Sequence, residues 1–154
     1  MSDYTRRSLE LAQLYPSDPI QAFKRWLNYA TNSGLVNSPE AAVLSTAQTP
    51  SGRISSRMIS IKDVDAKGFV ILSNFETSKK SKDLSTNPQV ALNFWWEKLE
   101  RQVRVEGTME RLTAAECEVF AKGRARNSRI CDWASPQSVV ISDRVELETE
   151  VQRV

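Results

Sequence analysis

Three short stretches of the chain carry residues that could bind an anionic cofactor. Residues 55–62 (SSRMISIK) and 99–107 (LERQVRVEG) each place cations, hydroxyls or an amide within runs of β-branched residues typical of strands. Between them, residues 77–82 (TSKKSK) form a polar, basic segment whose hydroxyl and ammonium groups are donors for the same anion. Together the three stretches predict a phosphate-bearing cofactor site built on a sheet.

The spacing within these stretches also allows a simpler interpretation. Side chains alternate along a strand, so Arg57 and Lys62 would point to opposite faces, and one phosphate would contact both only if a bulge lay between them. Taken alone, residues 55–62 would be a solvated edge strand with two surface cations. Ser78-Lys79-Lys80 alone would be a solvated turn. The residues by themselves leave both interpretations open.

Composition restricts the chemistry that the side chains can supply. The sequence contains no histidine, which excludes imidazole as a base, as a metal ligand and as a member of a catalytic triad. The two cysteines, Cys117 and Cys131, form no metal-binding motif, and we interpret both as free thiols. A cofactor, a lysine or a carboxylate must therefore carry any reaction, and no metal site is expected.

Length, composition and charge predict one domain over residues 1–154. Apolar residues make up 40% and charged residues 26%, both ordinary for globular proteins. No apolar run approaches the ~20 residues that cross a bilayer, and the charged N-terminus lacks the apolar core of a secretory signal. We therefore expect a cytoplasmic protein without membrane contact. The net charge of +2 gives little support for nucleic-acid binding.

The elements that must position these residues follow from capping, turn and alternation signals. Asp18-Pro19 predicts the start of a helix, after an N-terminal extension of residues 1–17. The predicted helices cover residues 20–30, 81–86, 113–122 and 139–154. The predicted strands cover residues 41–47, 54–62, 69–74, 89–96 and 101–110. Thr113 and Glu116 form a capping-box pattern that predicts the start of the third helix.

The order of these motifs closely resembles the pyridoxamine 5'-phosphate oxidase family. The similarity extends from Asp18 to Arg144, and one such motif is a weak signal whereas many in register are a strong one. The motifs are Asp18-Pro19, Ser51-Gly52-Arg53, Ser55-Ser56-Arg57, Lys62, Gly68-Phe69, Ser73-Asn74, Asn87-Pro88, residues 99–107 and residues 133–138. The resemblance implies a mainly β fold with flanking helices, namely an antiparallel split β-barrel of the FMN-binding type.

The resemblance implies FMN as the cofactor and suggests which residues surround its phosphate. The matching positions are Arg57, Ser78, Lys79 and Lys80. Lys79 stands where the family usually has arginine. Lysine keeps the charge but lacks the bidentate guanidinium group, which predicts weaker phosphate binding at this position.

The rest of the flavin would contact the predicted strand of residues 54–62, the end of the next predicted strand and three more distant residues. The resemblance implies that the ribityl chain and the isoalloxazine edge are lined by Met58, Ile59, Ser60, Ile61, Lys62, Leu72 and Ser73. Gln102, Gln137 and Ser138 also match flavin-contacting positions. The family supplies some of these from a second subunit, so the resemblance predicts a homodimer with shared flavin sites.

The implied substrate is a B6 vitamer phosphate, whose phosphate would be bound at Lys62, Phe120, Arg124 and Ser128. The family has a tyrosine where this chain has Phe120, and loss of that hydroxyl predicts binding weaker by about 1 kcal/mol or more. The implied reaction is oxidation of pyridoxine or pyridoxamine 5'-phosphate to pyridoxal 5'-phosphate. The flavin would accept a hydride, and dioxygen would reoxidise it to give hydrogen peroxide.

Two alternative functions are compatible with the same sequence. The family continues beyond the position of Val154 through a tryptophan-rich strand and an Arg-Leu-His segment that contact substrate and flavin. The first alternative is therefore an FMN- or B6-phosphate-binding protein with little or no oxidase turnover. The second is a nucleic-acid module that uses Trp95, Trp96, Arg101 and Arg104. Trp95 and Trp96 are adjacent and would face opposite sides of a strand, so one of them is expected in the core.

Overall fold

The computed structural model describes residues 18–134 and 136–153. The predicted N-terminal extension, residues 1–17, lies outside the described residues. The described helices are α1 (Pro19–Asn32), α2 (Lys79–Leu84), α3 (Ala114–Lys122), α4 (Arg126–Ala134) and α5 (Arg144–Arg153). The described strands are β1 (Ala41–Gln48), β2 (Arg53–Val64), β3 (Phe69–Ile71), β4 (Gln89–Trp96) and β5 (Arg101–Thr108).

Helix α1 begins where the sequence predicts, because Asp18 caps its first turn. The Asp18 carboxylate accepts a hydrogen bond from the Gln21 backbone N–H at 3.0 Å. Pro19 occupies the first helical position, where its missing N–H is not needed. The buried residues of the helix are Ala22, Phe23 and Ala30. They form the apolar face of α1.

The strands form one antiparallel sheet in the order β3-β2-β1-β4-β5. The turn between β1 and β2 contains Gly52, whose φ of +67° lies in the left-handed region that glycine adopts at little cost. In the turn between β2 and β3, the Asp65 carboxylate accepts the backbone N–H groups of Lys67 and Gly68. The predicted fold class, a mainly β protein with flanking helices, is confirmed.

A β-bulge interrupts the pairing of β2 with β3. Ile61 pairs with Ile71, whereas Asp63 pairs with Val70, so Lys62 is an extra residue on β2. A bulge bends its strand and changes the direction of the side chain that it carries. Simple alternation from Arg57 therefore does not fix the direction of Lys62.

Aromatic rings form the centre of the core. The Phe23 ring lies 4.8 Å from the rings of both Phe69 and Phe94, measured between centroids. Trp96 is 1% exposed, and its indole N–H donates to the Pro39 carbonyl at 2.9 Å. Trp95 is 51% exposed. The prediction that these adjacent tryptophans face opposite sides is therefore confirmed.

The chain divides into two compact units. The first contains the described residues up to Ser45 together with Ser56–Leu72 and Ala91–Glu106, and it includes α1 and the aromatic rings of the core. The second contains Thr46–Ser55, Ser73–Val90 and the residues from Gly107 onward, and it includes α2 to α5. The predicted site residues fall in both units.

Three elements in the middle of the chain differ from the sequence-based prediction. α2 begins at Lys79 rather than at residue 81, because the Ser78 side chain caps it by accepting the Ser81 N–H. β3 ends at Ile71 rather than at residue 74, where the Asn74 side chain accepts the N–H groups of the next turn. α4 was not predicted, since its sequence is polar on average and contains several weak helix formers.

Capping residues also fix the starts of α3 and α5. Both hydrogen bonds of the predicted capping box between Thr113 and Glu116 are present at α3. α5 begins at Arg144 rather than at the predicted residue 139, because the Asp143 carboxylate accepts the Glu146 N–H at 2.9 Å. The helix therefore starts directly after its cap.

Two surface properties bear on the sequence-based expectations. Residues 18–134 and 136–153 contain no helix that is both long enough and apolar enough to cross a membrane. Cys117 is an exposed free thiol, as predicted. The side chain of Cys131 lies outside the described part of the structure.

Candidate cofactor-binding site

Two lysines predicted as phosphate ligands lie at the start of α2, in the second unit. Lys79 and Lys80 are the first two residues of the helix, and Ser78 is its N-cap. Ser78 is fully buried, and Lys80 is only 5% exposed, which is unusual for a charged side chain. Burial of an ammonium group is costly unless acceptors surround it. The contacts of Lys80 are therefore the most informative of the site.

Both lysines contact residues of the segment that follows α4. The Lys80 ammonium group donates to Gln137 Oε1 at 2.6 Å, and the Ser73 hydroxyl donates to the same oxygen at 3.4 Å. The Ser138 hydroxyl accepts the backbone N–H of Lys79 at 3.2 Å. Six predicted cofactor-binding residues thus lie together within one chain, and we call them the lysine cluster: Ser73, Ser78, Lys79, Lys80, Gln137 and Ser138.

Ser138 holds its place in the lysine cluster in an unusual backbone conformation. Its φ of +65° lies in the left-handed region, which costs a non-glycine residue roughly 1–2 kcal/mol. The hydrogen bond from the Lys79 N–H offsets part of this cost. Strained residues of this kind are concentrated at functional sites.

A buried carboxylate that the sequence analysis missed lies beneath Lys79. Asp83 is fully buried, forms an ion pair with the Lys79 ammonium group, and accepts the Thr46 hydroxyl proton at 2.7 Å. Two sequence signals point to it. Lys79 and Asp83 are four residues apart, which places them on one helix face. Thr46 is a polar residue at an inward position of β1, after the buried Ala42 and Leu44.

The predicted flavin-lining stretch of β2 belongs to the first unit. The half-buried Arg57 donates to the Leu44 carbonyl at 3.1 Å. Met58 is 64% exposed, whereas Ile61 is buried, as alternation along the strand predicts. The Lys62 ammonium group, at the bulge, donates to the Ser60 hydroxyl at 3.3 Å. Ile59 lies between these residues and is half-buried.

Comparison with known proteins decides the family. The family model described as pyridoxamine 5'-phosphate oxidase matches residues 31–154. The chain belongs to this family. It is 52% identical over 149 residues to the probable pyridoxamine 5'-phosphate oxidase of Schizosaccharomyces pombe, and the match covers 97% of this chain and 64% of that protein. The chain thus spans just under two thirds of the length of this pyridoxamine 5'-phosphate oxidase relative.

Solved structures confirm the split-barrel fold that is typical of the pyridoxamine 5'-phosphate oxidase family. PhzG from Burkholderia lata, solved in complex with tetrahydrophenazine-1-carboxylic acid, matches with a TM-score of 0.86 and 29% identity, over 95% of this chain and 71% of that chain. A pyridoxamine 5'-phosphate oxidase-related, FMN-binding protein from Nostoc punctiforme matches with a TM-score of 0.52 and 17% identity, over 84% and 66%. The second match supports the fold alone.

The donors of the lysine cluster fit the phosphate of FMN, the cofactor that membership of the pyridoxamine 5'-phosphate oxidase family implies. A phosphate offers only acceptor oxygens, and Lys79 and Lys80 offer ammonium donors, which make the stronger, charge-assisted hydrogen bonds. Hydroxyl and amide groups add neutral partners. The chain has no histidine, so these side chains are suited to binding and orienting a cofactor rather than to proton transfer.

The remaining two predicted flavin contacts lie apart along the sequence in the first unit. Leu72 directly follows β3 and is half-buried. Gln102 is exposed on β5, and its amide group donates to Asn93 Oδ1 at 2.8 Å. Their contact with a flavin stays a prediction from the family resemblance.

Three of the four residues predicted to bind the substrate phosphate lie on or between α3 and α4. Phe120 is half-buried near the end of α3, Arg124 follows that helix, and Ser128 is exposed on α4. The backbone N–H of Arg124 donates to the Ala121 carbonyl at 3.2 Å, which closes the turn between the helices. Lys62, the fourth residue, lies in the first unit.

Two open cavities lie outside the lysine cluster. One, of about 400 Å³, is lined by residues that include Phe75, Lys82 and Arg111, and contains none of the predicted cofactor-binding residues. The other, of about 450 Å³, is lined by residues of α1 and β2 that include Ile61 and Lys62. The site is therefore identified from its donor groups rather than from cavity size.

The residues proposed for the nucleic-acid alternative do not form a common stacking surface. Trp96 is buried in the core. Arg101 stacks on Trp26, with its guanidinium carbon 5.5 Å from the ring centroid. Arg104 forms an exposed ion pair with Glu106 at 3.2 Å. These contacts explain the basic residues of β5 without a nucleic-acid ligand.

Proposed function

We propose that this protein is an FMN-dependent oxidase of pyridoxine or pyridoxamine 5'-phosphate that yields pyridoxal 5'-phosphate and hydrogen peroxide. The lysine cluster is the observation that carries the proposal, because two ammonium groups, the amide of Gln137 and three serine hydroxyls lie together there. Membership of the pyridoxamine 5'-phosphate oxidase family supports the reaction. The same family membership supports FMN as the cofactor.

In this proposal the chain supplies binding and orientation. When bound, FMN would supply the redox chemistry: a hydride would leave the carbon that bears the amine or alcohol, and dioxygen would take up the electrons as hydrogen peroxide. With the amine substrate, water would hydrolyse the resulting imine and ammonia would leave. Lys79 and Lys80 offer charge-assisted hydrogen bonds to the flavin phosphate. The family resemblance assigns the substrate phosphate to Lys62, Arg124 and Ser128. Holding both phosphates fixes the distance and angle between substrate and flavin, which is worth several orders of magnitude in rate.

A second candidate is an FMN- or B6-phosphate-binding protein with little turnover. Phe120 favours it, because a tyrosine at this position in the family would donate a hydrogen bond that phenylalanine lacks. Weaker contact with the substrate phosphate lowers the rate as well as the affinity, if that contact also orients the reacting carbon.

The proposal includes a homodimer, for which exposed apolar side chains of the first unit are suited. Met58 is 64% exposed and Trp95 is 51% exposed, whereas Ile61 on β2 and Phe94 and Trp96 on β4 are buried. Large apolar side chains on an exposed sheet face are typical of an interaction surface. Trp95→Lys should convert a dimer to monomers in sedimentation velocity. A wild-type monomer that binds FMN tightly would contradict the shared site.

The flavin spectrum of the purified protein tests the cofactor, and anaerobic bleaching tests the reaction. We expect the protein to take up FMN, and pyridoxamine 5'-phosphate to bleach the bound flavin, with colour and hydrogen peroxide appearing on addition of oxygen. Pyridoxamine without the phosphate is the matched control and should bleach far more slowly. FMN retention without bleaching would favour the binding protein. A protein that takes up no FMN would contradict the oxidase and the FMN-binding protein, and would leave only a B6-phosphate-binding protein.

Arg57 gives an independent test of the predicted phosphate ligands. Arg57→Ala should weaken FMN binding about tenfold or more, because a charge-assisted hydrogen bond is lost. The melting temperature of the flavin-free protein should change much less. The matched control is Arg53→Ala, an exposed arginine at the start of the same strand. Equal FMN affinity of Arg57→Ala and wild type would exclude Arg57 from the site.

A further inference from the structure

The charges of α2 are arranged against the preference of an isolated helix. Cations are favoured near a helix C-terminus and anions near its N-terminus, yet Lys79 and Lys80 begin α2 and Asp83 is next to its last residue. A lysine four residues before an acidic residue is also the weaker order for a helical ion pair. Local helix stability therefore does not explain why these residues occupy these positions.

The order of the charges on α2 places a cation next to the buried carboxylate of Asp83. A carboxylate with no solvent exposure is costly unless it is paired and hydrogen-bonded. The Lys79 ammonium group supplies the opposite charge, and the Thr46 hydroxyl supplies a hydrogen bond at 2.7 Å. Asp83 thus holds a negative charge next to two adjacent lysines, which would otherwise repel each other.

Lys79 contacts the carboxylate of Asp83, and Lys80 donates to the amide oxygen of Gln137. A phosphate that approached the lysine cluster would compete with an existing anion for Lys79. At Lys80, the phosphate would compete with the amide oxygen of Gln137.

We propose that Asp83 is the internal counter-ion of the lysine cluster: it pairs with Lys79 in the flavin-free protein and competes with the flavin phosphate for that ammonium group. This role rests on the proposed function, since it takes the phosphate of FMN as the ligand. Asp83 stabilises the empty site and limits the affinity of the filled one. Removing the charge of Asp83 should therefore lower the stability of the flavin-free protein and raise its affinity for FMN.

The isosteric variant Asp83→Asn separates this role from a structural one by the sign of its effects. The amide keeps the shape and can still accept the Thr46 hydroxyl proton, but it removes the charge. The melting temperature of the flavin-free protein should fall, while FMN should bind about threefold to tenfold more tightly at low salt. The gain should shrink as salt screens the charges. If the Asp83 carboxylate only held the fold together, Asp83→Asn would lower both the melting temperature and the affinity for FMN.

Fluorescence titrations with FMN and with riboflavin, at low and high salt, measure the effect. Riboflavin lacks the phosphate, so its affinity should be the same in Asp83→Asn and wild type. Thr46→Val is the matched control, because it removes the hydrogen bond to Asp83 and keeps the charge. It should lower the melting temperature but leave FMN affinity within about twofold, since no charge changes.

A lysine variant tests the proposal even if Asp83→Asn fails to fold. Lys79→Gln should weaken FMN binding by less than about threefold in the wild-type background, because Asp83 already compensates the charge of Lys79. Where Asp83→Asn folds, Lys79→Gln should cost more in that background than in wild type. A loss of about tenfold or more for Lys79→Gln in the wild-type background would overturn the proposal.

The outcomes distinguish this inference from the proposed function. Wild-type protein that binds FMN, with weaker binding in Asp83→Asn, would overturn the counter-ion role alone. An equal change for riboflavin would do the same, because the effect would not depend on the phosphate. Wild-type protein that binds neither ligand would overturn the proposed function and the counter-ion role together.

Discussion

The lysine cluster and the segment formed by α3 and α4 are organised by different kinds of contact, although both belong to the second unit. In the lysine cluster, Lys80 is 5% exposed and donates to Gln137, which is distant in sequence. α3 has no buried residue, and the turn that follows it is closed by a local backbone bond at Arg124. The lysine cluster is thus held by burial and long-range hydrogen bonds, whereas α3 is held at its ends by capping and a local turn.

The difference indicates which predicted contacts are pre-organised. Donors that are already held in place lose little conformational freedom when a ligand binds, so more of the interaction appears as affinity. The lysine cluster meets this condition. Ser128 is exposed on α4, so ordering its side chain on a ligand would offset part of any gain. We therefore expect larger mutational effects on FMN binding than on binding of the substrate phosphate.

The largest effect is expected at Lys80. Lys80→Gln should weaken FMN binding about 10-fold to 100-fold, because it removes a charge-assisted hydrogen bond from a buried position. Lys82→Gln is the matched control, since Lys82 is exposed on the same helix. Fluorescence titration measures both.

Comparable FMN affinities of Lys80→Gln and Lys82→Gln would contradict the view that the lysine cluster is pre-organised for a ligand. They would mean that the burial of Lys80 serves the fold and not a ligand. The same conclusion would follow if Lys80→Gln lowered the free energy of unfolding of the flavin-free protein by as much as it lowered the free energy of FMN binding.

Local signals in the sequence predict most elements and part of the site. Asp18 and the capping box at Thr113 start α1 and α3 as predicted, because capping depends on residues within one turn. β4 covers the predicted residues 89–96. The grouping of Lys79 and Lys80 as anion ligands came from residue type and from the family resemblance, and both lie in the lysine cluster.

Features that depend on residues distant in the sequence were harder to predict. The hydrogen bond of Asp83 on α2 comes from Thr46 on β1, 37 residues away in the sequence, so neither residue alone indicates that Asp83 is buried. The bulge at Lys62 is set by pairing with β3, so it could be named as a possibility but not located. α4 is polar on average and contains several weak helix formers, which explains why it was missed.

A smaller effect, on the substrate side, is expected at Phe120. Phe120→Tyr supplies the hydroxyl that the family has at this position, so the affinity for pyridoxal 5'-phosphate should rise about fivefold, as one additional hydrogen bond provides. Titration of the FMN-loaded protein measures it, with pyridoxal as the phosphate-free control. A gain for pyridoxal as large as the gain for its phosphate would show that the hydroxyl does not contact the phosphate. It would also remove Phe120 from the predicted substrate site.

The smallest effect is expected at the cap of α5, which like α3 is held by exposed local contacts. The Ser142 hydroxyl and backbone N–H donate to the Glu146 carboxylate at 2.7 Å and 2.8 Å, and they lower the pKa of Glu146 below its ordinary value. A lowered folded-state pKa means that this stabilisation is present above the unfolded pKa and is lost as pH falls through the folded one. We expect the amide signals of α5 to report fraying of its first turn on acidification in NMR spectra. Glu146→Gln should show much of that fraying already at neutral pH, and Glu118→Gln on α3, the matched control, should not. A Glu146 carboxyl that titrates at its ordinary value would contradict the cap.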